Sequence, residues 1–319
     1  MKLTRGKLLK GRDWTDWRES EWKQLDQYEV QGMFGKPVKV ASKKTVFRLV
    51  WTYNVKALDK RKKARCACDG SVRAGQVRVL DYTYAGCVDH TSSRMFYAVA
   101  AAENLLVYRA DVTNAFGDAP PPKQGFHLLP DRAFHEWWTR HKGREPIPDG
   151  HVIPVLAAMQ GHPEAPRLWA KHADKIIKKL NLKNTGHEPC LYSGSYKGSR
   201  VLLKRQVDDF ETATEDPLVT DMVFDEVDEY LTFPLKRMGL VSLFNGVDVL
   251  QTRDYIKISV ETYLERVCEK YLATWLGPTR GQTATPLPNR KEFIRGFLAA
   301  VGDPNPAAQQ ALEDEMEIT

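Results

Sequence analysis

An α+β fold follows from three features of this 319-residue chain. Helical periods run over 14–33, 92–103 and 164–180, with apolar residues recurring on one side. Short apolar and β-branched runs separate them, bounded by Gly, Pro, Asn and Asp, and these read as strands. Two of the runs end in acids: Leu105-Leu106-Val107-Tyr108 leads to Asp111, and Val201-Leu202-Leu203-Lys204-Arg205-Gln206-Val207 leads to Asp208-Asp209.

The elements follow in order. After the helical stretch 14–33 come extended segments at Val38-Lys44 and Phe47-Val55, then an exposed turn at Asp59-Lys60-Arg61-Lys62-Lys63. A helix is predicted from Ser92 to Glu103, capped by Thr91 and Ser92, with Met95, Phe96, Val99 and Ala102 on its inner face. It leads into the Asp111 strand. Residues 117–150, punctuated by Pro120-Pro121-Pro122, Gly125, Pro130, Gly143, Pro146 and Pro148, read as long loops around an aromatic patch at Phe134, Trp137 and Trp138. The helix 164–180 sets Leu168, Trp169, His172, Ile176 and Leu180 against Lys171, Lys175, Lys178 and Lys179, and Asn181, Asn184 and Gly186 stop it.

Cys190-Leu191-Tyr192, a turn at Gly194–Gly198 and the run 201–207 then put Asp208-Asp209 at a hairpin tip. Residues 211–230 hold eight acids and no base, which fits a segment facing solvent. A second β-rich stretch, 243–250, turns at Thr252–Asp254 into Tyr255-Ile256-Lys257-Ile258, and a helix follows at 261–275. Beyond Gly277, five prolines give a linker-like end with a short acidic tail.

Adjacent acids at a strand end repel each other and resist desolvation, so a fold that keeps them there uses them to hold divalent cations. If the Asp111 strand neighbours the Asp208-Asp209 hairpin, three carboxylates meet. Such a cluster holds two magnesium ions about 3.5–4 Å apart, the arrangement that serves phosphoryl transfer in polymerases and nucleases.

Composition is compatible. With 42% hydrophobic and 28% charged residues the chain resembles a soluble globular protein with room for an enzyme. No run approaches the roughly 18 apolar residues of a membrane span, and the N-terminus has no signal-like apolar block, so an intracellular protein is expected. Five cysteines without a framework suit a reducing compartment, and Cys66-x-Cys68 has no second pair to complete a zinc site. The net charge of +6 is uneven: residues 1–65 carry 18 Lys/Arg against 7 Asp/Glu. Trp14, Trp17, Trp22, Phe47, Trp51 and Tyr53 lie among these charges, as in a phosphate-backbone surface; a solvated face over an ordinary core has the same composition.

At motif level, Ala110-Asp111-Val112-Thr113-Asn114-Ala115-Phe116, Gln160-Gly161-His162-Pro163-Glu164-Ala165-Pro166-Arg167-Leu168-Trp169 and Gln206-Val207-Asp208-Asp209-Phe210 resemble, in order and spacing, the three central motifs of Ty1/copia-type retrotransposon reverse transcriptases. Lys63-Ala64-Arg65, His187-Glu188-Pro189-Cys190-Leu191-Tyr192, Phe244-Asn245-Gly246-Val247 and Ala284-Thr285-Pro286-Leu287 extend the resemblance over roughly 15–290.

The resemblance implies a right-hand polymerase: an N-terminal helix and basic fingers in 1–90, a palm with a fingers insertion in 91–238, a primer-positioning hairpin and thumb or connection helix in 239–290, and a poorly ordered tail in 291–319. It implies template-directed DNA synthesis from deoxynucleoside triphosphates on an RNA or DNA template with a primer, using two magnesium ions or manganese. Asp111, Asp208 and Asp209 would ligate the metals, helped by the Val112 carbonyl. Phe116 would gate against a ribose 2′-hydroxyl, Gln160 would face the nucleotide sugar, and Lys63 and Arg65 would reach the triphosphate. Arg167 would contact template phosphate or cap its own helix, and Phe244 and Gly246 would position the primer.

The resemblance also implies integrase and ribonuclease H domains as partners in a Pol polyprotein, no membrane, and a place in cytoplasmic virus-like particles and/or the nucleus. The chain departs from the pattern at Gln206, where Tyr or Phe is common, and at Lys204-Arg205, two charges in a strand that is usually apolar. It stops about where ribonuclease H would begin, as an excised, truncated or host-retained segment would. Two other readings stand beside the polymerase: a catalytically silent nucleic-acid-binding protein and, further off, a two-metal nuclease.

Overall fold

Alternate apolar positions build the strands here and apolar stripes build the helices. The computed structural model describes residues 3–39, 46–56, 60–71, 83 and 85–275. In chain order the elements are α1 (Arg5–Leu8), α2 (Trp14–Val30), β1 (Val38–Lys39), β2 (Val46–Val55), β3 (Lys62–Cys68), α3 (His90–Ala102), β4 (Leu106–Asp111), β5 (Phe126–Leu129), α4 (Arg132–Glu136), β6 (His151–Val155) and α5 (Ala165–Lys179). There follow β7 (Lys183–Asn184), β8 (Leu191–Tyr196), β9 (Ser199–Gln206), β10 (Asp209–Thr214), α6 (Pro217–Asp228), β11 (Lys236–Leu240), β12 (Leu243–Phe244), β13 (Val247–Gln251), β14 (Ile256–Ser259) and α7 (Glu261–Trp275). A 3-10 turn spans Ala115–Asp118 and a π turn Trp137–His141. The chain divides into two units, Met1–Ser259 and Val260–Thr319; α7 is the described part of the second. Among the described residues no helix is long and apolar enough to cross a membrane.

The first unit is built on a six-stranded antiparallel sheet in the order β11-β4-β10-β9-β8-β7. Both faces are covered. Val201, Leu203, Ala110 and Phe210 pack on one side with Trp169, Ala173, Ile176 and Ile177 of α5 and Val219, Val223, Phe224 and Val227 of α6. Alternate residues Leu202, Val107 and Ala213 pack on the other with Phe96, Tyr97 and Ala100 of α3 and Phe244 and Val249 of the small sheet β12-β13-β14. A five-stranded sheet, β1-β6-β5-β2-β3, forms a separate core with Leu25, Tyr28, Phe126, Phe134 and Trp137. Together these make the expected α+β architecture.

Several expectations are corrected. Helix α3 begins at His90, and its cap is Asp89, whose Oδ1 accepts from Ser92 N at 2.9 Å, not Thr91 or Ser92. Its inner face is Phe96, Tyr97 and Ala100, while Met95 is 61% exposed. The segment Met95–Ala102 is apolar on every side, so periodicity alone does not select the buried face. The supposed loops of 117–150 contain β5, α4 and the π turn; β5 has four residues and exists because β2 and β6 pair with it.

Gly194 lies inside β8 because a Cβ there would stand 2.9 Å from Asn181 O, and the turn itself is Lys197-Gly198, with φ of 49° and 86°. In 211–230, α6 does expose Asp221 and Asp225, but Glu211 is fully buried. Part of the Val38-Lys44 segment, Asp59, Ala284-Thr285-Pro286-Leu287 and the 291–319 tail lie outside the described residues.

Candidate functional site

Strand register assembles the site. In the β4–β10 pair Asp111 stands opposite Asp209, and in the β9–β10 pair Gln206 stands opposite Asp209, leaving Val207-Asp208 as a two-residue turn. Such hairpin turns require positive φ at their first position, and Val207 takes φ of 56°. A β-branched residue in the left-handed region costs on the order of 1–3 kcal/mol and persists only where its surroundings enforce it. Two hydrogen bonds do so: Trp169 Nε1 donates to Val207 O at 2.7 Å, and Val112 N donates to Asp208 O at 2.8 Å. The helix α5 is thereby tied to the acidic hairpin.

Asp111, Asp208 and Asp209 each offer a carboxylate oxygen, and these atoms lie within 4.8 Å of one another. Burial, followed by repulsion from Asp209, raises the Asp111 carboxyl above the usual carboxylate range; Lys236, Arg109 and Lys63 offset part of this. Asp208 is also raised, first by crowding from the surrounding protein and then by Asp111 and Asp209, with Arg65 acting the other way. Acids held in mutual repulsion could hold a hard divalent cation, for which an all-carboxylate set of oxygens is the suitable donor type.

Period-two geometry sends Arg109, Asp111, Asp209, Glu211 and Lys204 to the same sheet face. Arg109 donates to Asp209 Oδ1 from Nε and Nη2 and to Leu243 O at 2.7 Å, and its guanidinium lies 5.5 Å from the centre of the Phe244 ring. Behind it, Lys204 and Glu211 form a fully buried ion pair; Lys204 Nζ donates to Ser93 Oγ at 2.9 Å, and Tyr97 Oη donates to Glu211 at 2.8 Å. Sequence reasoning missed the roles of Arg109 and Glu211. Two signals were present: Arg109 is two residues from Asp111, and a two-residue turn at 207–208 puts Lys204 opposite Glu211.

The other predicted residues fall around this centre. Lys63 and Arg65 share the outer face of β3, where Ala64, Cys66 and Cys68 point inward, and both are close enough to act on the acids. Burial and then Arg65 lower the Lys63 ammonium below its ordinary range. Phe116, half-buried in the 3-10 turn behind Asp111, packs at the edge of the α5–α6 core.

Gln160 has an exposed side chain, and its carbonyl accepts from Cys68 N at 2.9 Å, joining this loop to the end of β3. Gly161, at φ of 92°, admits no Cβ, which would lie 1.9 Å from Cys68 O. Arg167 pairs with Glu164 at 2.8 Å beside the start of α5. Phe244 is buried beneath Arg109 and Lys204, so the solvent-facing part of its hairpin is the Asn245-Gly246 turn, with φ of 48° and 81°.

Comparison with known proteins bears on this arrangement. The family described as reverse transcriptase (RNA-dependent DNA polymerase) matches residues 35–280. A putative transposon Ty5-1 protein of Saccharomyces cerevisiae is 28% identical over 145 residues, which are 45% of each chain. Two structures of a foamy viral protease-reverse transcriptase with double-stranded DNA align at TM-scores of 0.44 and 0.45, with 16% and 14% identity. They cover 79% and 91% of this chain but 36% and 53% of theirs. An apo telomerase from Candida tropicalis aligns at a TM-score of 0.39 with 12% identity, over 76% of this chain and 60% of that one. The chain thus spans about half or less of the length of the yeast and foamy viral relatives.

Proposed function

Because the chain belongs to the reverse transcriptase (RNA-dependent DNA polymerase) family, we propose that it carries out template-directed DNA synthesis for a copia-type retroelement. The observation that carries this reading is the register that opposes Asp111 and Asp209 with Asp208 in the turn between β9 and β10. The six-stranded sheet is then the palm, drawn from 91–238 except for the last two residues of β11; the basic strands of 1–90 are fingers, and 239–290 supplies the primer hairpin and the thumb or connection.

Asp111, Asp208 and Asp209 would hold two magnesium ions, which when bound supply charge stabilisation to the attacking and leaving oxygens of nucleotidyl transfer. The protein's own groups do the rest. Lys63 and Arg65 bind the triphosphate of an incoming deoxynucleotide, Phe116 occupies the space a ribose 2′-hydroxyl would need, and Gln160 lines the sugar side. Arg109 fixes one oxygen of Asp209 and ties it to the hairpin whose Asn245-Gly246 tip meets the primer. The partners proposed are a primed RNA or DNA template and the integrase and ribonuclease H domains of a Pol polyprotein, in cytoplasmic virus-like particles and/or the nucleus.

Primer extension tests this reading. Wild-type protein with oligo-dT on poly-rA, dTTP and magnesium is expected to incorporate, and Asp208→Asn is expected to lose about 10³-fold or more. Equal incorporation by both proteins would refute the catalytic assignment. Folded wild-type protein that binds primer–template without extending it would support the silent binding protein instead.

A further inference from the structure

The helix α2 lies ahead of the matched residues 35–280, yet one of its faces grips the turn behind Asp111. Gln24, Gln27 and Gln31 recur at helical spacing and therefore share a side. Gln24 Nε2 donates to Asn114 Oδ1 at 3.3 Å, and Asn114 Nδ2 donates to Gln27 Oε1 at 3.0 Å. Gln31, in the cap of the helix, donates from Nε2 to the Asn114 carbonyl at 3.1 Å and to Asp118 Oδ1 at 3.3 Å. Gln31 also lies flat on Gly117, where any Cβ would stand 2.2 Å from its Oε1.

These contacts close on both sides of Phe116. Asn114 is held at φ of 52°, a left-handed conformation that asparagine tolerates better than most residues. The backbone then closes through Gly117 N to Asn114 O at 2.9 Å and Ala119 N to Phe116 O at 3.1 Å. The half-buried Phe116 ring has a fixed backbone origin because neutral amides hold the residue two before it and the glycine after it. The bonds to Asn114 join neutral amides, so salt does not screen them; Gln31 alone also reaches a carboxylate, that of Asp118.

We infer that Gln27, with Gln24 and Gln31, forms a positioning device for Phe116 and so sets discrimination between deoxyribo- and ribonucleotides. The inference rests on the proposed polymerase activity and on Phe116 as the group facing the sugar. Exclusion of a single hydroxyl is a matter of where the ring lies, and displacements near 1 Å change such rates by about 10²-fold.

The test measures kcat/KM for dTTP and for UTP on poly-rA/oligo-dT, with amide hydrogen exchange of residues 114–119 as a readout independent of activity. Gln27→Leu and Gln31→Leu are made separately, so that a folding failure in one leaves the other. Each is expected to lower the dTTP/UTP ratio about tenfold and to speed exchange in the turn. Gln27→Glu, which keeps an acceptor for Asn114, is expected to stay near wild type. In a Phe116→Val background, Gln27→Leu should lower the ratio no further, as required of a residue acting through the ring.

An unchanged ratio in a folded, extending Gln27→Leu protein overturns the inference and leaves the polymerase reading intact. So does an effect that adds fully to that of Phe116→Val. If wild-type protein incorporates no dTTP, the polymerase reading fails first and the inference falls with it.

Discussion

Arg109 holds Asp209 by one oxygen, with Nε at 3.0 Å and Nη2 at 2.7 Å from the same Oδ1. Among the three clustered acids, therefore, one already has a cation beside it, while burial and mutual repulsion raise the carboxyls of Asp111 and Asp208. The same guanidinium reaches Leu243 O, so the third acid and the β12–β13 hairpin are fixed to one side chain.

This pairing predicts unequal effects of removing charge. Asp208→Asn should reduce the single-turnover incorporation rate by about 10³-fold, whereas Asp209→Asn should cost about 10–10²-fold. Rapid-quench measurement of a single dTTP addition compares them, and an equal or greater loss for Asp209→Asn would remove the distinction drawn from Arg109.

Repulsion among the acids also predicts a trade between stability and function. A carboxyl raised in the fold is destabilised when ionised, so above the ordinary carboxylate range its charge opposes folding. In EDTA at about pH 7, Asp208→Asn should therefore raise Tm, by no more than about 2–4 °C once solvent screening is allowed for. A fall in Tm on thermal unfolding would contradict the repulsive cluster.

The buried Lys204–Glu211 pair predicts strong coupling. Burial lowers the Lys204 ammonium and raises the Glu211 carboxyl, and their attraction opposes both shifts. Lys204→Met alone leaves an uncompensated acid and should cost about 3–5 kcal/mol. The double variant Lys204→Met/Glu211→Gln keeps an acceptor for Tyr97 and should recover most of that loss in urea unfolding; additive losses would show that the pair is not a unit.

An acid-linked contribution is predicted at Asp26. Burial pushes its carboxyl up, but hydrogen bonds from Lys142, Trp137 and His141 outweigh this and leave it below the ordinary range. A depressed carboxyl stabilises the fold above its unfolded pKa of about 4, and that contribution is lost as pH falls through the folded value. The stability difference between wild type and Asp26→Asn should thus shrink from about pH 6 to about pH 3 in urea titrations; a difference independent of pH would refute the linkage.

The acid hairpin was legible because charges at the end of an apolar run have few structural uses, and α5 because its apolar and basic faces are cleanly separated. The stretch 243–250 reads as one β run, although Asn-Gly is itself a turn signal, and the structure breaks it at Asn245-Gly246 into β12 and β13. What stayed hidden depended on partners. The inner face of α3 was misassigned to Met95, Val99 and Ala102 beside Phe96 because Met95–Ala102 is apolar all round, and β5 is a strand only beside β2 and β6. Lys204 looked anomalous until register set Glu211 against it. The glutamines of α2 carry no signal in the sequence, since nothing local shows that Asn114 lies across from them.

Manganese titration followed by electron paramagnetic resonance is the most direct test of the acid cluster, using primer–template with a dideoxy-terminated primer and dTTP to hold the complex before chemistry. Two ions should bind per wild-type complex, and after subtraction of binding by nucleotide alone, Asp111→Asn and Asp208→Asn should each lose occupancy. Stoichiometry and affinity unchanged by both substitutions would show that these carboxylates do not hold the metals.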